Sequence, residues 1–277
     1  MTRKWRQSTI VMVILLCILY GVFMWASRVS GKEEQHHPTS DVSAGETVKD
    51  PYAWTQTHWV AHALGDIDGV DYTNSLEALD QSLSEGYRCV EFDLAQDKNG
   101  QWILRHENQN SAPYHQLSLS EFLSILAQHP QVTAILDSKT RTQSTMDHAL
   151  NDLMEAIQAC DRTMMDRMVI QTYSFEQYLS VTQHRPFPSV LLTLYGTSYT
   201  EDQVVAFAKE AKVKVITMPW SKANPTYIQR LKEAGVIVYV HTVNSTTIYA
   251  KMLAMGVQGI YTDIILPLPE DSATQRE

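Results

Sequence analysis

Glu91 and Asp93 stand two residues apart in the run YRCVEFDLA, and Asp137 and Lys139 stand two apart in TAILDSK. Both runs are short, apolar and rich in β-branched residues, so each reads as a strand. On a strand, positions i and i+2 project to one face. Three carboxylates brought together on such faces repel one another unless a cation sits among them. An oxygen-only donor set suits a hard ion, Mg²⁺ or Ca²⁺, and points away from zinc. The bland alternative, a structural ion pair of Glu91 with Lys139 or Arg105, explains one carboxylate but not a repeated spacing. His62 lies near the end of the run WVAHALG (Trp59 to Gly65), and His106 ends the run WILRH. Such a pair can act as general base and general acid about a scissile phosphodiester, one ring neutral and the other protonated near pH 7. His58, His115, His129, His148 and His184 read as ordinary core or surface residues, and His36 and His37 as solvated linker residues.

These residues recur at one kind of place. Candidate strands begin at Trp59, Tyr87, Thr133, Met168, Ser189, Val213, Val236 and Gly259, with amphipathic helical stretches between them. WILRH, after the turn Lys98-Asn99-Gly100, extends the second strand as a hairpin. Strands alternating with helices imply parallel pairing, and near-continuous apolar runs suit strands covered on both faces. Eight such units close a (β/α)8 barrel, expected over residues 54–270. No glycine-rich dinucleotide fingerprint follows the first strand, which disfavours an open doubly wound sheet. His62, Glu91, Asp93, His106, Asp137, Lys139, Gln171, Trp220, His241, Thr242 and Asn244 all fall at the C-terminal ends of these runs. In a barrel, that end carries the active site.

The chain has 277 residues, 44% of them hydrophobic and 19% charged, which predicts a globular domain. A formal net charge of −9 argues against a nucleic-acid partner, which needs a basic face. Cys17, Cys89 and Cys160 show neither zinc spacing nor a disulfide framework, so the last two are expected as buried, inert thiols. Residues 9–26 (TIVMVILLCILYGVFMWA) carry no charge and approach the roughly 20 residues that cross a bilayer. Arg3, Lys4 and Arg6 precede them. The expected order is a cytoplasmic N-terminus (1–8), a transmembrane anchor (9–26), a flexible linker (27–53), the barrel and a short tail (271–277). The catalytic domain would then lie outside the cytoplasm, on the cell membrane. A cleaved signal peptide is the alternative, although no Ala-x-Ala site follows the run. Oligomeric state leaves no signature in the sequence.

The stretch from His62 through NSLEALDQSLSEGYRCVEFDLAQDKNGQWILRHE resembles the N-terminal signature of the glycerophosphodiester phosphodiesterases. That signature has a His-Arg-Gly start, a Glu-Asn-Thr-like helix entry, a Glu-x-Asp strand and a His-Asp strand end. Here these read His62-Ala-Leu-Gly65, Thr73-Asn74-Ser75, Glu91-Phe-Asp93 and His106-Glu107. Leu136-Asp-Ser-Lys139, Ile170-Gln-Thr-Tyr173, His241-Thr-Val-Asn244 and Gly256-Val-Gln-Gly-Ile-Tyr-Thr-Asp263 continue the likeness in order. The resemblance implies a metal-dependent hydrolase that splits a glycerophosphodiester into glycerol 3-phosphate and an alcohol. His62 and His106 would be its acid/base pair, and Glu91, Asp93 and Asp137 the ligands of one Mg²⁺ or Ca²⁺. Lys139 would contact phosphate, with Asn74, Gln171, Trp220 and His241 as further substrate contacts. Three positions depart from the pattern: Ala63 replaces the usual Arg, Asp137 the usual Glu, and His241 a common Trp. The segment from His106 to Leu117 is short, which implies an open site for a bulky, polymeric or membrane-borne substrate. Its residues Ser111 to Gln116 are expected to be dispensable for small substrates. Phospholipase C- and D-like enzymes share the barrel and its histidines, and a non-catalytic phosphate-binding barrel is the rival from another class.

Overall fold

A computed structural model describes residues 50–106, 109, 111–139 and 142–267. The expected anchor, residues 1–49 of the N-terminal region and the tail lie outside the described residues. Among the described residues no helix is long and apolar enough to cross a membrane.

The strands are β1 (Trp59–Ala61), β2 (Cys89–Gln96), β3 (Trp102–Leu104), β4 (Thr133–Asp137), β5 (Met168–Thr172), β6 (Ser189–Thr193), β7 (Val215–Pro219), β8 (Ile237–His241) and β9 (Gly259–Thr262). All but β3 run parallel in the order β1-β2-β4-β5-β6-β7-β8-β9. Because β1 pairs with both β2 and β9, the sheet closes into an eight-stranded barrel. β3 pairs antiparallel with the end of β2, as the hairpin extension was expected to.

Among the described residues seven α-helices follow strands: α1 (Leu76–Ser84), α2 (Leu119–Gln128), α3 (Gln143–Cys160), α4 (Phe175–His184), α5 (Glu201–Glu210), α6 (Pro225–Glu233) and α7 (Thr246–Ala254). Each begins after a Ser, Thr or Asn whose side chain accepts a backbone N–H of the first turn: Ser75, Ser118, Thr142, Ser174, Thr200, Asn224 and Ser245. A cap of this kind stabilises by about 0.5–2 kcal/mol. It also fixes where each loop from a strand end must stop, which pins the loops around the barrel mouth.

The floor of the barrel follows from strand alternation. Val60, Cys89, Ile135, Val169, Leu191, Val215, Tyr239 and Tyr261, one from each parallel strand, form a single buried apolar layer with Trp54. Trp54 belongs to a 3-10 turn, Ala53–Gln56, and its Nε1 donates to Ser189 Oγ at 3.0 Å. Tyr52 packs on the same layer, and its hydroxyl donates to the Val190 carbonyl. The folded unit therefore reaches back into the expected linker, because these two aromatics cover an apolar floor. The helices bury their apolar stripes on the outside of the barrel. Cys89 is buried as expected. Cys160 is exposed, since it ends α3 beyond Ile157, the last buried residue of that helix.

Candidate active site

Two residues beyond each floor residue stands a polar one: Glu91, Asp137, Gln171, Thr193, Thr217 and His241 within their strands, and His62 and Asp263 just past the ends of β1 and β9. The period-2 pleat turns these positions to the same side as the floor. A ring of polar groups thus sits one layer above an apolar one. Six members line a cavity of about 80 Å³ at the mouth, together with His106, Lys139, Tyr72, Tyr173, Tyr195 and Tyr261.

The expected acidic cluster is assembled. One oxygen from each of Glu91, Asp93 and Asp137 lies within 4.8 Å of the others, and all three residues are buried. Burial, followed by the charge of Asp93, pushes the Glu91 carboxyl above the usual carboxylate range. Lys139 Nζ reaches Asp93 Oδ1 at 2.7 Å and Asp137 Oδ2 at 2.6 Å. Burial alone would lower the Lys139 pKa, but these carboxylates raise it far above its ordinary value. The same ammonium outweighs burial at Asp137 and holds that carboxyl below its ordinary value. Crowded buried carboxylate oxygens, one of them on a raised carboxyl, fit a hard divalent cation.

The backbone serves this cluster directly. Ala63 and Leu64 both adopt left-handed backbone, which turns the Ala63 N–H onto Glu91 Oε2 at 2.8 Å. This is why β1 stops at Ala61, short of the expected run. Gly65 follows at φ +94°, where a Cβ would lie 2.3 Å from Ser82 Oγ. Only glycine fits there. Ala63, standing where the family has Arg, is fully buried.

Asn74 requires a correction. It was expected to touch substrate, yet it is fully buried, its Nδ2 donating to Asp93 Oδ2 and its Oδ1 accepting the Asp93 N–H. It orients a carboxylate and does not line the cavity. Trp220 also lies outside the cavity lining; it opens the 3-10 turn after β7 and is half exposed. Gln171 and His241 do line the cavity. Burial, then the nearby His62, depresses the His241 pKa to about 3, so the ring is neutral. Its Nε2 and the Tyr261 hydroxyl are buried with no hydrogen-bond partner in the protein.

Residues Ser111 to Gln116, expected to be dispensable for small substrates, contact the loop before α1. Ser111 Oγ donates to the Thr73 carbonyl at 2.6 Å, and Tyr114 Oη donates to Asp68 Oδ2 at 3.0 Å. They brace the loop that carries Tyr72 and Asn74.

Sequence reasoning did not offer Asp263 or Tyr72 as site residues, nor Tyr173, Thr193, Tyr195 and Tyr261 of the cavity lining. Asp263 Oδ1 meets His62 Nδ1 at 2.8 Å. Asn244 holds Asp263 in turn, its Nδ2 donating to Oδ2 at 2.5 Å and its Oδ1 accepting the Asp263 N–H. Burial works against a charge on His62. The Asp263 hydrogen bond and the charges of Glu91, Asp263 and Asp93 prevail, raising its pKa to about 9. Tyr72, at φ +57°, places its ring between the histidines, 4.8 Å from His62 and 4.7 Å from His106. A side chain wedged there sets the separation of the pair. Tyr72→Ala should therefore lower kcat by roughly 10–100-fold, while Tyr72→Phe, which keeps the ring, should stay near wild type. Steady-state kinetics would decide, and equal losses in both variants would assign the effect to the hydroxyl.

Residues 116–266, a little over half of the chain, match the family model described as the Glycerophosphoryl diester phosphodiesterase family. The chain belongs to that family. Its class of enzyme is the phosphoric diester hydrolase. The matched region includes Asp137, Lys139, Gln171, His241 and Asp263, while His62, Glu91, Asp93 and His106 precede it and join them at the mouth. No curated protein matches the chain by sequence. Solved structures share the barrel. A glycerophosphodiester phosphodiesterase from Parabacteroides distasonis is 16% identical with a TM-score of 0.62, over 79% of this chain and 96% of its own. A phosphodiesterase from Oleispira antarctica, solved with the product sn-glycerol-3-phosphate, is 13% identical with a TM-score of 0.62, over 82% and 98%. A glycerophosphodiester phosphodiesterase from Thermotoga maritima is 14% identical with a TM-score of 0.53, over 79% and 96%. At these identities the likeness is one of fold.

Proposed function

We propose that this family member hydrolyses glycerophosphodiesters to glycerol 3-phosphate and an alcohol, using His62 and His106 for proton transfer. The observation that carries the reading is the buried trio Glu91, Asp93 and Asp137 beside a histidine pair, with Lys139 among them. The product held by the Oleispira antarctica neighbour supports the same substrate class.

Glu91, Asp93 and Asp137 would hold one Mg²⁺ or Ca²⁺, which offsets phosphate charge and acts as a Lewis acid. The protein's own groups supply the rest. Lys139 adds a positive charge for the phosphate oxygens. His62, kept protonated by Asp263, donates from Nε2 to the departing alkoxide. His106 accepts a proton from the attacking water, whose oxygen forms the new P–O bond as the P–O bond to the departing alcohol breaks. Each transfer of this type contributes about 10²–10⁴ in rate. Gln171, His241 and Tyr261 offer uncharged hydrogen bonds to the substrate.

The test is release of glycerol 3-phosphate from a panel of glycerophosphodiesters by the full chain, in Mg²⁺, in Ca²⁺ and in chelator. Metal-dependent release that falls by about 10²–10⁴ in His62→Ala is expected. Headgroup release from intact phospholipid, a cyclic phosphate product, or no turnover in a folded, metal-binding protein would each defeat the reading.

We further propose that residues 9–26 anchor the chain in the cell membrane with the barrel outside the cytoplasm. The support is an uncharged run preceded by Arg3, Lys4 and Arg6. Recovery of the full chain from the soluble fraction of cells would refute it.

A further inference from the structure

Beside the catalytic cavity lies a second one of about 300 Å³, lined by Tyr173, Ser174, Gln177, Tyr195, Thr197, Ser198 and their neighbours. Tyr173 and Tyr195 line both cavities, so the two share a wall. The second sits between the loop entering α4 and the loop entering α5. Its volume lies at the low end for small-molecule pockets, roughly 300–1,000 Å³. That is room for one compact headgroup and not for acyl chains.

The chemistry of the lining is specific. No residue lining it is charged; the polar groups are hydroxyls and one amide. Gln177 Oε1 is taken by the Tyr173 N–H at 2.8 Å, which leaves the amide N–H₂ as a donor. Tyr173 is held to the cluster by its hydroxyl, which donates to Asp137 Oδ1 at 2.5 Å. Tyr199 is stacked on Phe175 at 3.9 Å and 8°, so one ring face is already covered. The wall is therefore firm, hydroxyl-rich and neutral.

Given the phosphodiesterase reading above, on which this rests, we propose that this second cavity binds the leaving alcohol, and that the alcohol is a neutral polyol such as inositol or a hexose. The protons of Thr197 and Tyr173 go to the Leu194 carbonyl and Asp137, so those oxygens can accept from a polyol, while Ser198, Tyr195 and the Gln177 amide can donate to it and the C–H faces lie on tyrosine rings. A trimethylammonium group would desolvate those polar groups without pairing them, and a site built for hydroxyls discriminates against ligands that lack them. Glycerol, with three carbons, is smaller than the cavity.

Kinetics of the full chain on three esters would test this: glycerophosphoinositol, glycerophosphocholine and glycerophosphomethanol. The inositol ester should show a KM at least about tenfold below that of the choline ester. Ser198→Trp, at an exposed position, fills the cavity. It should raise KM for the inositol ester at least about tenfold more than KM for the methyl ester. Thr197→Val, which keeps the shape, should raise the inositol KM alone. An unchanged inositol KM in Ser198→Trp would overturn the subsite, and so would a choline ester preferred by the wild type. An equal rise for all three esters would place the glycerol there and also overturn it. If the wild type turns over none of them, the phosphodiesterase reading fails and takes this one with it.

Discussion

An Asp263→Asn enzyme should lose about 10²–10⁴ in kcat. The carboxylate does not line the cavity, and its Oδ1 lies 2.8 Å from His62 Nδ1. An amide in its place presents either N–H₂ or carbonyl to Nδ1 but carries no charge to stabilise the imidazolium. The histidine pKa should then fall from about 9 toward its ordinary 6.5, which NMR titration of the ring would follow. Stability gives an independent readout. A histidine whose folded pKa lies above its unfolded value binds protons more tightly when native. Its contribution is complete below pH 6.5 and is lost as pH rises through about 9. Thermal unfolding of the wild type should therefore decline across that window, and Asp263→Asn should flatten the decline. A variant with wild-type kcat and an unshifted ring would show that Asp263 is only structural.

Lys139→Met should be the most damaging change to stability in the presence of chelator. Its ammonium sits between Asp93 and Asp137, with side-chain exposures of 17%, 0% and 6% respectively. Removing one partner of a buried ion pair commonly costs about 3–5 kcal/mol, here a fall of roughly 10 °C in Tm. The deficit depends on pH in a direction that can be worked out. Without the ammonium the carboxylates hold protons more tightly than in the unfolded chain. Native stability then falls as pH climbs above the ordinary carboxylate range, and the gap to wild type widens. Saturating Mg²⁺ or Ca²⁺ should close much of it, because the ion meets the same oxygens. Unfolding at pH 5 and pH 8, with EDTA and with metal, separates these effects. A deficit insensitive to both pH and metal would indicate lost packing instead of lost charge.

Much of the barrel was legible because its strands are buried on both faces and read as apolar runs. The floor and the polar ring above it need only the period of a strand, so Glu91, Asp93, Asp137 and His62 stood out from neighbours that could not be charged for structural reasons. Asp263 carried the same signal, two residues beyond Tyr261, but a lone carboxylate after GIYT resembles any strand end. Its partnership with His62 spans 201 residues of sequence, and only closure of the barrel by β1 and β9 brings the two together. Tyr72 was harder still. It lies in a loop with several left-handed residues, where no periodicity announces which way a side chain will face. Asn74 was seen but misplaced, since spacing cannot distinguish a group that touches substrate from one that holds Asp93 in position. Trp220, marked by its place at a strand end, stands outside the cavity for a similar reason: a strand end sets the height of a residue but not its direction.

The ring of eight polar groups above eight apolar ones has a consequence for how such a site can vary. Its members are set by the pleat and by the register of strand pairing, so a slip of one residue would turn a strand's polar member outward and its apolar neighbour inward. The reactive groups are therefore as robust as the closed sheet itself. The loops leading to α4 and α5, which carry the walls of the neighbouring cavity, are under no such constraint. Changes there can retune which molecules reach the reactive groups while the groups themselves stay in place.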